Sequence, residues 1–365
     1  MLGDTSTYAY EGGYARFYIV PEEGTYYIQN VGSGRYVDVE GPSLNDGAAI
    51  HEWDFRTNPQ EKWIVEHVAN SDGYIRLKSV YSNKYIGIDP DALSYVKQYA
   101  VQNNYTLWRI DRTSSGNLTF QCKVYQGTDA VMAVPTASTV NGTNLIMAAY
   151  TDNTTYRDEW TLHITKDISL IALPENYNRS DYFPDILGYM DDIGYDDGYH
   201  NHDTISEGVT RDELMERLTY SKITLVRTHG SQTSISTSDV SLNRSYLMSC
   251  SDDILQYSEL IIYGACETAK GGENAENLVA ATVEAGARTV IGFEDPVFAG
   301  ACNRWCKKFF EYYSMYYDDP NYTIEDICIA TNEYAITQPN YSGTIDGGTL
   351  VTLANYVVAG EKTFP

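Results

Sequence analysis

The sequence predicts two domains of different class, an all-β half followed by an α/β half, and three observations carry that prediction. The chain has 365 residues, longer than a single core usually sustains. Up to about residue 165 it consists of short runs rich in Tyr, Val and Ile, broken by Gly, Asn, Asp and Ser, with almost no helical periodicity. Beyond that point strand-like runs alternate with helical stretches, the pattern of a sheet joined by crossover helices. The change falls at Ile164-Thr165-Lys166-Asp167, which sets the domains at residues 1–165 and 166–365.

The first half restates one pattern three times: an opening strand, a Gly- or Asn-containing turn, a second short strand and a closing tryptophan. The first copy runs from Tyr26-Tyr27-Ile28 through Tyr36-Val37-Asp38-Val39 and Trp53 to Gln60-Glu61-Lys62-Trp63. The second runs from Tyr74-Ile75-Arg76-Leu77 through Tyr85-Ile86-Gly87-Ile88 to Thr106-Leu107-Trp108, and the third from Leu118-Thr119-Phe120 through Asn141-Gly142-Thr143 to Asp158-Glu159-Trp160. Three multi-strand repeats of about 40–50 residues are too few for a long solenoid or a many-bladed propeller and fit a closed pseudo-symmetric β structure. A β-trefoil is the expectation.

Residues 20–163 resemble the ricin-type β-trefoil lectins, whose repeats end in Gln-x-Trp; here Gln60-Glu61-Lys62-Trp63 keeps the motif, while Thr106 and Asp158 replace the Gln elsewhere. The resemblance implies a carbohydrate site in the first repeat. Asp38 would clamp a sugar hydroxyl pair, Trp53 would stack on the pyranose face, and His51 and Gln60 would support them. The second repeat has Tyr99 but Gly87 where the acid belongs; the third has Ala133 there, with Tyr150 as the aromatic. Trp63, Trp108 and Trp160 are expected as core pegs, whereas Trp53 is open to either role. A trefoil that has lost its sugar site and docks a protein also stays open.

In the second half, Ile223-Thr224-Leu225-Val226-Arg227-Thr228 leads into His229-Gly230, and Leu260-Ile261-Ile262-Tyr263-Gly264-Ala265 leads into Cys266-Glu267-Thr268. Such apolar, β-branched runs read as buried parallel strands, and an open α/β sheet places its reactive groups just beyond the strands' carboxyl ends. A thiolate is a strong nucleophile once ionised, and a neighbouring imidazole accepts its proton. His229 and Cys266 thus form a dyad in outline, with the Gly230 and Cys266 amides able to hold an oxyanion. Helices are expected at Arg211–Tyr220, Ala275–Ala287, Cys302–Tyr316 and Thr323–Ala335.

Residues 168–360 resemble the caspase-like cysteine peptidases, in particular the CHAT-type members of the group that includes gingipains, clostripain and separase. The resemblance rests on His229-Gly230, on Tyr263-Gly264-Ala265-Cys266-Glu267-Thr268 with Gly271-Gly272 after it, on a helix Asn277–Glu284, and on Ala285-Gly286-Ala287-Arg288-Thr289-Val290-Ile291-Gly292. It implies a mostly parallel sheet flanked by helices, with Ile168–Leu173 as its first strand and His200-Asn201-His202-Asp203 near its second. It also implies Cys266 as nucleophile, His229 as general acid/base, and neither cofactor nor metal in the chemistry. Glu294-Asp295, after the strand Thr289–Phe293, would receive a basic P1 side chain. Related enzymes are often activated by a cut between the His and the Cys, and Arg244 is the only basic residue in the long polar connection Ser231–Ser258. Self-cleavage there is the expectation.

A formal net charge of −25 opposes nucleic acid and anionic membrane as partners and suits cationic peptides. No apolar run approaches the ~18 residues of a membrane span. An exported form would have shed its signal peptide, since the first residues lack a basic segment followed by an apolar one. The six cysteines, Cys302 and Cys306 a helical turn apart among them, have neither disulfide-scaffold nor zinc spacing. His200 and His202 are a weak metal signal. The composition with a lectin-like module suggests a secreted or cell-surface bacterial protein. Two functions follow: a cysteine endopeptidase cutting after a basic residue and targeted by a lectin-like module, or a non-catalytic glycan- or protein-binding protein on an inactive peptidase-like scaffold.

Overall fold

In the computed structural model the chain divides into two compact units, Met1–Thr165 and Lys166–Pro365. The structure describes residues 8–11, 14–151, 155, 157–172, 182–193, 209–250, 253–297, 299–317, 319–337, 343–345, 349–351 and 356–364. His200 and His202 lie outside the described residues.

The first unit is a β-trefoil. Six strands close a ring by antiparallel pairing: Gly24–Asn30, Lys62–His67, Ile75–Ser79, Trp108–Arg112, Leu118–Cys122 and Trp160–Ile164, the last returning to the first. Three hairpins complete it, Tyr36–Val39 with Ile50–Trp53, Tyr85–Ile88 with Val96–Tyr99, and Ala130–Ala133 with Ile146–Ala149. Each repeat thus contributes two ring strands and one hairpin, as the threefold sequence pattern requires. The pegs obey the same symmetry: Trp63, Trp108 and Trp160 are fully buried. Their indole N–H groups donate to the Val37, Ile86 and Met132 carbonyls at 2.9, 2.8 and 3.1 Å. Each ring therefore fills core volume while its one polar atom is satisfied.

The second unit carries a five-stranded mixed sheet in the order Lys166–Ala172, Ser221–Arg227, Leu260–Gly264, Thr289–Phe293, Tyr356–Gly360. The first three pairings are parallel and the last antiparallel. The central strands are buried throughout, which is why they read as continuous apolar runs. One face packs α1 (Phe183–Asp191), α5 (Ala299–Tyr316) and α6 (Ile324–Ile336) on Leu225, Ile262 and Ile291. The other packs α2 (Arg211–Tyr220) and α4 (Leu278–Glu284) on Val226, Ile261 and Val290. In α5 the residues Cys302, Trp305, Cys306, Phe309, Phe310 and Tyr313 form the buried stripe, at the i, i+3, i+4 spacing of a core-facing helix.

Side-chain caps set the helix starts. Thr210 and Glu213 make a capping box on α2, Thr323 and Asp326 on α6, and Asn277 caps α4. The cap explains why α4 starts three residues after the expected Ala275. The connection Ser231–Ser258 departs from the expected open loop. It folds into a small sheet of Gly230–Ser231, Ser234–Ile235 and Leu242–Asn243 followed by α3 (Arg244–Leu247), with Ile235, Leu242 and Leu247 buried.

Candidate functional site

The two strands that carry the dyad are parallel neighbours whose last paired residues are Arg227 and Gly264. His229 and Cys266 each stand two residues further on, so the shared register sets them side by side at the carboxyl edge of the sheet. Gly230 makes the close approach possible. A Cβ there would lie 2.8 Å from the Cys266 carbonyl oxygen and 2.9 Å from Ala265 Cβ, and any larger residue would force the two strand ends apart.

The Cys266 side chain is half-buried, and its sulfur lies 3.3 Å from the Val297 amide and 3.8 Å from the Val297 carbonyl. Burial pushes the thiol above its ordinary range, while the Val297 amide and the Arg227 charge pull it back. His229 is exposed, and its ring is not hydrogen-bonded to the Cys266 sulfur. Contacts between a catalytic base and its nucleophile often tighten only when substrate is bound.

Two amides are available for an oxyanion. Ser236 N donates to the His229 carbonyl at 2.9 Å, so the next pair along, Gly230 with Ile235, is a non-hydrogen-bonded one whose Gly230 N–H points out of the hairpin. The Cys266 amide has no backbone acceptor among the described residues. Neither expected donor has an acceptor shown for it among the described residues.

The turn after the sulfur is a feature the sequence did not announce. Glu267 has φ 56°, a left-handed backbone that costs a non-glycine residue about 1 kcal/mol or more. It is held there by its amide, which donates to the Asp295 carbonyl at 3.3 Å, and by an ion pair with Lys270 at 2.5 Å. Ala269 N donates to the Phe293 carbonyl at 3.0 Å. These bonds stitch the cysteine turn to the end of the strand Thr289–Phe293 and bring Glu294 and Asp295 beside it. Glu294 is half-buried and Asp295 exposed. Lys270, raised by Glu267 first and by Asp295 as well, shares their field and offsets part of it.

Arg244 is half-buried at the start of α3; its amide donates to the Thr233 carbonyl at 2.8 Å, and its own carbonyl accepts from Met248 N at 3.0 Å. The Arg244–Ser245 bond therefore lies in a capped helical turn and not in the open loop expected for a self-cleavage site.

In the first unit Asp38 pairs with His51 across its hairpin, with Asp38 Oδ2 and His51 Nε2 3.3 Å apart. The Trp53 ring lies 5.3 Å from the His51 ring and is half-buried. The Arg56 guanidinium sits over one face of Trp53, 3.9 Å from its centroid. Anything stacking on that face would have to displace Arg56, an exposed side chain. Register makes Asp38, Gly87 and Ala133 equivalent, and likewise Trp53, Tyr99 and Ala148. Tyr150 is therefore not the third aromatic. A Cβ at Gly87 would lie 2.9 Å from Thr106 Cγ2, so the second repeat has no room for an acid. Only the first combines acid and ring.

The closing motif needs a correction. The residue two before each peg is buried, at 0 %, 1 % and 0 % exposure for Glu61, Thr106 and Asp158, so Glu61, and not Gln60, occupies the Gln position of the first repeat. Gln60 remains half-buried at the site's rim. Glu61 accepts from the Arg56 amide at 2.9 Å. Its Oε1 and Asp38 Oδ1 are buried without hydrogen-bond partners among the described residues. Burial, reinforced by the Asp38 carboxylate against the opposing Arg56, pushes Glu61 up to about 7.

Among the described residues no group of three or more His, Cys, Asp or Glu is placed to hold a metal ion, and no helix is long and apolar enough to cross a membrane. None of the six cysteines is in a disulfide.

Residues 14–92 and 61–148 match the family of ricin-type beta-trefoil lectin domain-like proteins. The first unit is thus a lectin-like trefoil by sequence as well as by architecture. The Rhizoctonia solani agglutinin is similar at 20 % identity, over 38 % of this chain and 94 % of its own, with a TM-score of 0.33. The Macrolepiota procera ricin B-like lectin, solved in complex with lactose, is similar at 20 % identity, over 39 % and 96 %, with a TM-score of 0.33. A designed threefold-symmetric protein, ThreeFoil, is similar at 24 % identity, over 38 % and 98 %, with a TM-score of 0.35. No curated protein matches the chain.

Proposed function

We propose that the second unit is a cysteine endopeptidase of caspase-like fold, brought to a glycan or glycoprotein by the lectin-like trefoil. One observation carries the reading: the common register through Arg227 and Gly264, with Gly230 pressed on the Cys266 carbonyl. It supports the reading because His229, Cys266 and the amides of Gly230 and Cys266 all stand at neighbouring strand ends. In the reaction, His229 takes the Cys266 proton and the thiolate attacks the scissile carbonyl. The Gly230 and Cys266 amides hold the oxyanion. His229 then returns the proton to the leaving amine, and water hydrolyses the thioester with His229 as base. Glu294 and Asp295 receive a basic P1 side chain. Secretion to, or display on, a bacterial surface accords with a glycan-directed module.

The second reading is a binding protein in which the trefoil acts and the second unit is inert. The exposed, unbonded His229 ring and the burial-raised Cys266 thiol favour it. Incubation with a peptidyl acyloxymethyl ketone bearing Arg at P1 separates the two. Mass spectrometry should find the adduct on Cys266 alone, at substoichiometric reagent and in competition with substrate. No adduct, or equal labelling of Cys250, supports the inert reading.

A further inference from the structure

We propose that Arg227 is the positioning residue of the Cys266 site, a guanidinium fixed beneath the two strand ends that favours the thiolate and seats the Val297 amide against the sulfur. The proposal rests on the reading of Cys266 as a nucleophile.

Arg227 is 1 % exposed. It ends the histidine strand two residues before His229 and faces Gly264, itself two residues before Cys266. Alternation along a strand puts Ile223, Leu225 and Arg227 on one face and Leu260, Ile262 and Gly264 on the same face, which is the face α5 covers. The guanidinium therefore lies directly below the dyad on the side from which Val297 reaches the sulfur. Gly264 is what admits it: a Cβ there would stand 2.5 Å from both Arg227 Cδ and Nη1.

The five N–H groups are spent on a clamp. Nη1 donates to the Gly264 carbonyl and to Cys302 Sγ, the latter at 2.8 Å. Nη2 donates to the Ala299 carbonyl at 3.2 Å and to Asn303 Oδ1 at 2.9 Å, and Nε to Asn303 Oδ1 at 3.2 Å. Ala299 opens α5, two residues after Val297, so holding Ala299 and Asn303 to the strand end fixes the segment whose amide meets the Cys266 sulfur at 3.3 Å.

Every acceptor in that clamp is neutral in its ordinary state. A buried cation ringed by neutral groups is costly unless an anion forms nearby. The ionisable groups facing it are Tyr182, Cys302 and Cys306, with Cys266 on the adjacent strand end. Glu267 on the cysteine turn, and Glu294 and Asp295 on the next strand end, oppose a thiolate at Cys266; Arg227 below and a protonated His229 beside it favour one. Cys302 is the competing thiol, so the readout must resolve individual cysteines.

The experiment is the pH profile of iodoacetamide alkylation, followed residue by residue by mass spectrometry on the full chain. It needs no peptide substrate. Arg227→Gln should raise the Cys266 midpoint by about one unit and slow its alkylation about tenfold at pH 7. Arg227→Lys, which keeps the charge, should restore most of the midpoint. Asn303→Ala, a half-exposed position that leaves the charge in place, should slow Cys266 by a smaller factor through the loosened clamp. An unchanged Cys266 profile in folded Arg227→Gln overturns the proposal. Where circular dichroism shows that variant unfolded, an unchanged profile in Asn303→Ala overturns it. A midpoint that moves at Cys302 and not at Cys266 does so too. If wild type shows the Arg227-dependent profile yet hydrolyses no peptide, the peptidase reading fails and this one stands.

Discussion

Replacing Glu61 by Gln should remove a pH dependence from the trefoil's stability. The Glu61 carboxyl rises on folding from the ordinary 4.5 to about 7, chiefly by burial. A carboxyl whose folded value is raised keeps its proton in the fold while the unfolded chain has lost it. Its stabilising contribution is therefore full below pH 4.5 and is lost as pH rises to about 7. Two and a half pH units correspond to about 3 kcal/mol. The Gln variant retains an oxygen for the Arg56 amide and turns an N–H toward Asp38, so it should match wild type near pH 4 and exceed it by up to about 3 kcal/mol at pH 8. Burial also raises Glu52. That slope is common to both proteins and cancels in the difference. Urea unfolding followed by tryptophan fluorescence isolates the effect, because Trp53, Trp63, Trp108 and Trp160 lie in this unit and only Trp305 outside it. Parallel stability curves from pH 5 to 8 would refute the argument.

Three further outcomes follow from the geometry. Gly230→Ala should lower peptide hydrolysis at least a hundredfold in protein that circular dichroism shows still folded, since its Cβ would strike the Cys266 carbonyl at 2.8 Å, part the strand ends and misplace the reacting groups. Glu294→Gln with Asp295→Asn should lower kcat/KM for Arg at P1 by about tenfold or more relative to a neutral P1; an unchanged ratio puts the pocket elsewhere. Asp38→Ala and Trp53→Ala should each abolish retention on the glycan that a broad array identifies for wild type, whereas Tyr99→Ala should leave it, because the second repeat lacks the acid.

Much of this was legible in the sequence because it rests on periodicity. Strand Thr289–Phe293 and helix Arg211–Tyr220 have the bounds their apolar patterns and caps dictate. The threefold repeat prescribes the ring and hairpins, and the pegs close it. What escaped was local backbone and register. Nothing in a glutamate after Cys266 announces a left-handed turn, because surrounding hydrogen bonds impose it. The burial of Glu61 in place of Gln60 depends on counting two residues back from a peg whose position only the core fixes. Helix α3 hides in a polar connection because the single turn Arg244–Leu247 is too short to show a helical period. Arg227 reads as a strand's polar end until its guanidinium is seen lying across a glycine.

The most direct measurement is the rate of hydrolysis of an Arg-P1 fluorogenic peptide by wild type, Cys266→Ala and His229→Ala, with circular dichroism recorded for each. Wild type should turn over, and both variants should fall by about a thousandfold or more with folds unchanged, since both residues stand beyond the ends of intact apolar strands. Turnover by Cys266→Ala near the wild-type rate, or none by wild type across peptides of every P1 class, would contradict the account.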